Sequence, residues 1–168
     1  MKFFLIGMMG AGKTYWSKKW ATQCNIAHYD LDEVIEKQQE SSVAEIFAQK
    51  GEACFREIET ETLMQFGEKK SFLLAVGGGT PCFQQNMQWM NSNGITIWLD
   101  EPVHILVERL KPEKAHRPLL KHLSDEELHS FLKNKLEERK PFYGQSQYHL
   151  FGKEISDETF KKIVYEHQ

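Results

Sequence analysis

The residues best equipped for chemistry stand together near the start of the chain, in Gly7-Met-Met-Gly-Ala-Gly-Lys-Thr14. This stretch satisfies the pattern G-x-x-x-x-G-K-[ST] at every fixed position. Successive backbone N–H groups of such a loop, here those of Gly10, Ala11, Gly12, Lys13 and Thr14, can cradle phosphate oxygens, and the additional glycine at 10 keeps side chains out of their way. In this pattern Lys13 reaches the β- and γ-phosphates and the Thr14 hydroxyl binds Mg²⁺. The alternative is a glycine-rich turn without a ligand. The flanks argue against it: an apolar run, residues 2–6, enters the loop, and a segment able to form a helix leaves it, so a helix N-terminus would face the anion.

A nucleotide-binding loop of this kind works with an acid at a strand end that helps to hold Mg²⁺. The apolar run 72–76 ends in Gly77-Gly-Gly79 and supplies none. Two candidates remain. Ile95-Thr-Ile-Trp-Leu-Asp100 reads as a strand ending in an acid, but Glu101-Pro102 follows, and the favoured reading of Asp100 is the N-cap of the next helix. Asp30-Leu-Asp32 follows another short strand and opens a helix. Two carboxylates spaced this way can enter one cleft and serve different atoms, one the metal side and the other a substrate hydroxyl's proton. The plainer reading is a pair of solvated acids favoured by a helix N-terminus.

Strand and helix patterns alternate along the chain, which predicts an α/β domain with a mainly parallel sheet. Strands are expected at 2–6, 26–29, 72–76, 95–99 and 148–151, the second and last with the thinnest patterns. Helices are expected at 13–24 behind the loop, at 31–39 behind Asp30 as a cap, from the capping box Ser42-Val-Ala-Glu45 to a stop at Gly51, and at 52–66. Thr80-Pro81 reads as a cap followed by a first-position proline. Val103, Leu106, Val107 and Leu110 form an apolar stripe. Ser124-Asp-Glu-Glu127 is a second capping box, leading to Leu128, Phe131, Leu132 and Leu136 on one face. A last helix covers about 156–166. Between Leu110 and Ser124 lies a polar stretch with two prolines, read as a short mobile lid over the nucleotide (about 111–123) rather than a plain surface loop.

The 168 residues suit one domain spanning 1–168 with a full core. A net charge of −3 with no basic tail argues against nucleic acid as the main partner. The three cysteines form no C-x-x-C and suggest neither a disulfide framework nor a zinc site, which fits a reducing cytoplasm. The opening Met-Lys-Phe-Phe-Leu-Ile runs straight into the phosphate-loop pattern without a small-residue cleavage site, so it is not read as a signal peptide. No apolar run is long enough to span a bilayer.

Beyond the loop, the chain carries, in order, Asp30-Leu-Asp32 with Ile35-Glu36, Ile46-Phe47, Gly51-Glu52, Phe55-Arg56 with Glu59, Gly77-Gly-Gly79, Arg117-Pro-Leu-Leu120 and Arg139-Lys-Pro-Phe-Tyr143. This ordered set resembles the shikimate kinases over nearly the whole chain up to Tyr143. The resemblance implies a three-layer P-loop fold of the nucleoside-monophosphate-kinase type, with a five-stranded parallel sheet between helices. It implies ATP- and Mg²⁺-dependent phosphorylation of shikimate to shikimate 3-phosphate, on the route to chorismate and the aromatic amino acids, by a monomer acting on small molecules. By the same resemblance Asp30 is the metal-side acid; Asp32, Arg56, Arg139 and the Gly77, Gly78 and Gly79 backbone hold shikimate; Glu59 orients the substrate arginines. Arg117 reaches from the lid to the transferring phosphate, and Arg109 packs near adenine. Taken alone, Arg56 and Arg139 could equally be surface ion-pair residues.

The chain also departs from the family. Tyr15-Trp16-Ser17 follows Thr14 where small or aliphatic residues and a glycine are usual, so the packing of that helix on the sheet must differ. After Tyr143 the stretch Gln145-Ser-Gln-Tyr-His149 does not follow the family pattern, and the adenine-side loop near 152–156 has no residue-by-residue match. Two rivals stay open on sequence: a kinase of the same fold for another small alcohol, such as gluconate kinase, and a nucleotide-gated binding protein that uses the loop as a switch.

Overall fold

The computed structural model describes residues 1–168. Five strands, β1 (Lys2–Ile6), β2 (Ala27–Asp30), β3 (Phe72–Ala75), β4 (Ile95–Asp100) and β5 (Tyr148–Phe151), form one parallel sheet in the order β2-β3-β1-β4-β5. Seven helices cover it: α1 (Lys13–Cys24), α2 (Leu31–Gln39), α3 (Val43–Gln65), α4 (Asn86–Asn93), α5 (Val103–Leu110), α6 (Asp125–Tyr143) and α7 (Asp157–Glu166). This is the doubly wound α/β architecture expected from the alternation of patterns. The inner strands β1, β3 and β4 are covered on both faces, so Phe3–Ile6, Phe72–Ala75 and Ile95–Leu99 are almost wholly apolar and buried. The edge strands lack that cover. In β2 the side chains of Ala27 and His28 are exposed, and β5 buries only Leu150, which is why their sequence patterns are thin.

Helix ends follow local chemistry. Ser42 with Glu45 and Ser124 with Glu127 form reciprocal capping boxes. The Asp30 side chain caps α2 through the Asp32 N–H. Gly51 breaks α3 with φ 80° and ψ 170°, so the two expected helices meet there end to end. Aromatic side chains dominate the packing of α1: Trp16 meets the buried Trp20 at 4.9 Å, while Tyr15 stays exposed. Ser17 is the buried small residue, its Oγ donating to the Thr14 carbonyl at 3.0 Å. Trp20 stacks on Phe160 of α7 at 4.4 Å, and Phe160 packs edge-on against Phe3 of β1. A wedge of aromatic rings fills the space between α1, α7 and the sheet.

Two local expectations are corrected. Asp100 is not a helix cap: α5 starts after Pro102 with no side-chain cap, and the Asp100 carboxylate instead meets His149 Nε2 of β5 at 2.7 Å. Thr80-Pro81 does not open a long helix either. It forms one 3₁₀ turn, Thr80–Cys82, and the Thr80 hydroxyl is drawn away to Glu59 on α3; α4 begins only at Asn86. In both places a long-range partner outcompetes the local cap. Residues 111–116 form a 3₁₀ stretch and 117–123 are mainly turns.

Candidate active site

Because β1 is central and the chain moves first to one side of it and then to the other, a crevice opens beyond the carboxyl ends of the strands. The phosphate loop leaves β1, Asp30 and Asp32 leave β2, and Gly77-Gly-Gly79 leaves β3, all toward that crevice. The loop needs glycine-favouring backbone at three points, Gly7 (φ 142°), Gly10 (φ 79°) and Gly12 (φ 86°), the last being the residue that starts α1. Lys13 Nζ lies inside the loop and donates to the carbonyls of Gly7 and Met8, both at 2.9 Å. Burial lowers its ammonium to a pKa of about 8, against the opposing pull of Asp32 and Asp30. An arriving phosphate would favour the charged form.

The two acids of Asp30-Leu-Asp32 separate into different roles. Asp30 accepts from the Thr14 hydroxyl at 2.6 Å through Oδ2, while its Oδ1 caps α2. A hydroxyl and a carboxylate are thereby paired at the mouth of the phosphate loop. Hard oxygen donors of this kind, few in number and beside a phosphate site, fit Mg²⁺, which keeps several waters and takes its remaining ligands from substrate phosphates. No group of three or more His, Cys, Asp or Glu side chains offers a closed metal cage. Asp100, the rival, is engaged by His149 and lines neither of the two cavities described below. Asp32 is mostly buried. Desolvation, with the negative charges of Asp30 and Glu59 nearby, pushes its carboxyl up to about 6 despite the attraction of Lys13.

Two cavities meet at Asp32. The larger, about 580 Å³, runs over the phosphate loop and is bounded by Thr14, Asp30, Tyr15, Arg109, Glu113 and Arg117. The smaller, about 140 Å³, is walled by Val43, Phe47, Phe55, Arg56, Gly79 and Arg139. Met9, Asp32, Gly77 and Gly78 border both. The glycine run is a steric requirement. A Cβ on Gly78 would lie 2.8 Å from Arg139 Nη1, and one on Gly79 only 2.6 Å from Arg56 Nη2. Both guanidinium groups thus lie against bare backbone. Arg56 Nη1 donates to the buried Glu59 at 2.8 Å, and the other Glu59 oxygen accepts from Thr80. Arg139 has no carboxylate within ion-pair distance; its nearest polar partner is the Met8 sulfur at 3.6 Å. The small cavity therefore sets two guanidinium groups, one of them without a carboxylate partner, opposite Asp32 and Glu59, between apolar side walls.

A model of the shikimate kinase family matches residues 9–167 of the chain. The chain belongs to the shikimate kinase family. It is 41% identical over 157 residues to the shikimate kinase of Bacteroides thetaiotaomicron, covering 94% of this chain and 90% of that protein. The crystal structure of a shikimate kinase from the same organism superposes with a TM-score of 0.91 at 36% identity, covering 100% of this chain and 99% of that one. A shikimate kinase from Acinetobacter baumannii in complex with shikimate gives a TM-score of 0.87 at 28% identity, covering 99% and 94%. The fold is accordingly the P-loop kinase fold.

Apart from Asp100, the candidate site residues of the sequence line one of these two cavities or the phosphate loop, but several have partners that no motif announces. Arg117 is paired with Glu113 one turn earlier, through Nε at 3.1 Å and Nη2 at 2.8 Å. Arg109 donates to the Gly10 carbonyl at 3.0 Å and to Glu101 at 2.9 Å. Glu59 engages Arg56 but not Arg139, so only one of the two arginines is oriented as the family pattern implies. Tyr143 carried no assigned role. Its hydroxyl donates to the Gly78 carbonyl at 2.5 Å and pins the glycine run; burial raises the phenol far above its usual range and keeps it neutral. The helical spacing of Arg139 and Tyr143, four residues apart on one face, is the signal that could have found it.

Proposed function

We infer that the protein is a shikimate kinase, transferring the γ-phosphoryl group of ATP, with Mg²⁺, to shikimate. The product is shikimate 3-phosphate, on the route to chorismate and the aromatic amino acids. The observation that carries this reading is the position of Asp32, half in the phosphate-loop cavity and half in a small cavity holding two arginines, one of them without a carboxylate partner. A small anion with a hydroxyl to phosphorylate would match both halves.

In this reading Arg56 and Arg139 take the shikimate carboxylate, and arginine suits the task because its planar fork can hold a carboxylate by parallel bonds. The Gly77–Gly79 backbone allows the ring to approach. Asp32, with its carboxyl held near 6, is ionised at neutral pH and accepts the proton of the attacking hydroxyl as its oxygen bonds to the γ-phosphorus and the bond to the β-phosphate bridge breaks. Lys13 and the loop N–H groups hold the phosphates, and Arg109 lies at the adenine side. Arg117, from a lid over 111–123 on the single domain 1–168, exchanges Glu113 for the phosphoryl oxygens as their charge develops. Thr14 and Asp30 would hold Mg²⁺, which neutralises phosphate charge.

A monomer in the cytoplasm fits this role and the three half-buried free thiols. No helix is long and apolar enough to cross a membrane. Incubation with ATP, Mg²⁺ and either shikimate or gluconate, read by mass spectrometry, tests the reading. Phosphate should appear on shikimate alone. Transfer to gluconate, or nucleotide binding without transfer to either, would replace it with one of the rivals.

A further inference from the structure

Phe83 belongs to no motif, yet the backbone around it is contorted to place it. The 3₁₀ turn Thr80–Cys82 ends in extended backbone at Phe83, and the next two residues, Gln84 and Gln85, both adopt left-handed conformations with φ 46° and 59°. The Asn86 N–H closes this turn on the Phe83 carbonyl at 2.9 Å. Two consecutive positive φ angles are the geometry that Asn-Gly or Gly-Gly adopts readily; glutamine does so against its steric preference. Strain of this kind persists where the surroundings over-determine it, and it gathers at functional sites. Asn86 supplies part of the compensation by donating to the Thr80 carbonyl at 3.0 Å from a buried side chain.

The ring so placed lies against Arg56. The Phe83 centroid is 4.2 Å from Arg56 Cζ, closer than Phe55 at 5.3 Å or Phe47 at 5.9 Å. The guanidinium is thus held by Glu59 at one edge, by the Gly79 backbone, and by the face of Phe83. Its Nε is buried without a partner. A cation held on an aromatic face gives up little of its charge; the second carboxylate in reach, Glu52, is exposed and meets Nη2 only at 3.5 Å, so it neutralises little of it.

We propose that Phe83 is a positioning residue for the carboxylate-binding guanidinium of Arg56: it fixes the plane of that group and shields it from water while leaving its charge free for the substrate. This rests on the reading that Arg56 takes the shikimate carboxylate. Phe83 acts through Arg56 and does not itself carry the chemistry. Residues 84 and 85 accept their strained backbone because the turn delivers the ring.

The test compares shikimate with its carboxamide, by calorimetry and steady-state kinetics, in the parent, Phe83→Leu, Phe83→Tyr, Arg56→Ala and the Arg56→Ala/Phe83→Leu pair. Phe83→Leu should weaken shikimate binding about fivefold to tenfold, the scale of a desolvated cation–π contact. Carboxamide binding, the KM for ATP and kcat should stay within about twofold of the parent, because the ring acts only on the charge-bearing contact. Phe83→Tyr should restore parent affinity, and on the Arg56→Ala background Phe83→Leu should cost nothing further. Equal weakening of acid and carboxamide would make Phe83 a cavity wall and overturn the proposal, as would a full additional loss in the double variant or no loss at all. If Phe83→Leu does not fold, Phe83→Met carries the same expectations. If the parent itself fails to prefer the acid, the Arg56 clamp has failed; if it does and Phe83→Leu leaves the preference intact, only the role of Phe83 has.

Discussion

Asp32→Asn should cost activity and return stability, and the two effects can be separated by pH. The Asp32 carboxyl titrates at about 6 in the folded chain against 3.8 for the free side chain, chiefly through burial and then through Asp30 and Glu59. Its folded pKa is raised, so the folded state binds the extra proton more readily than the unfolded chain. Below pH 3.8 both states are protonated and the residue costs nothing. As pH rises through 6 the folded protein must carry a buried charge, and stability falls. The difference of 6 − 3.8, or 2.2 pH units, corresponds to about 3 kcal/mol above pH 7 at 1.36 kcal/mol per unit, and to about 1 kcal/mol at pH 4.5. Asparagine resembles the protonated acid and escapes this cost. Urea unfolding of parent and variant without ligands, at pH 7.5 and 4.5, should therefore show Asp32→Asn more stable by about 3 and about 1 kcal/mol. Its kcat should fall by about 10²–10⁴-fold, the range for a lost general base. In the parent, kcat/KM for shikimate should decline as pH drops through about 6. A variant no more stable than the parent at pH 7.5, or equally stabilised at both pH values, would show that Asp32 carries no desolvated charge and would remove the basis for its role as proton acceptor.

Three further outcomes follow from the geometry. Asp30→Asn should raise the Mg²⁺ concentration needed for half-maximal activity, whereas Asp100→Asn should leave it unchanged and release only the contact with His149; Mg²⁺ titrations showing the reverse would exchange the two acids. Gly79→Ala should fold normally, since its φ of −88° suits alanine, but its Cβ would displace the Arg56 guanidinium and raise the KM for shikimate roughly tenfold or more, the value of a charged hydrogen bond, with the KM for ATP spared. Gly7→Ala should instead impair folding, because its Cβ would meet the backbone carbonyl of Leu99 at 2.5 Å; melting curves of the two variants that agreed would contradict this contrast. Arg117→Ala should lower kcat by about 10³-fold or more while ATP affinity changes far less, as for an arginine that meets charge only in the transition state; parallel losses in both would argue for a ground-state contact.

The sequence alone determined the features that depend on neighbours within a turn or two. The phosphate loop, the capping boxes at Ser42 and Ser124, the Asp30 cap and the break at Gly51 are all set by residues at most seven positions apart, and each appears where the local pattern puts it. The inner strands were legible because burial on both faces demands an unbroken apolar run. The ordered motifs also named residues that the structure gathers at the two adjoining cavities, Asp30, Asp32, Arg56, Arg139 and the glycine run. Only the tertiary structure decided what those side chains do with one another. Asp100 is claimed by His149, 49 residues away, and Thr80 by Glu59, 21 residues away, and in each case the local cap is lost. Tyr143 reaches Gly78 across 65 positions, and Phe83 reaches Arg56 through a turn that glutamine does not favour. A hydrogen bond or ring contact depends on distance in space, and no spacing along the chain encodes that distance until the sheet has brought the strand ends together.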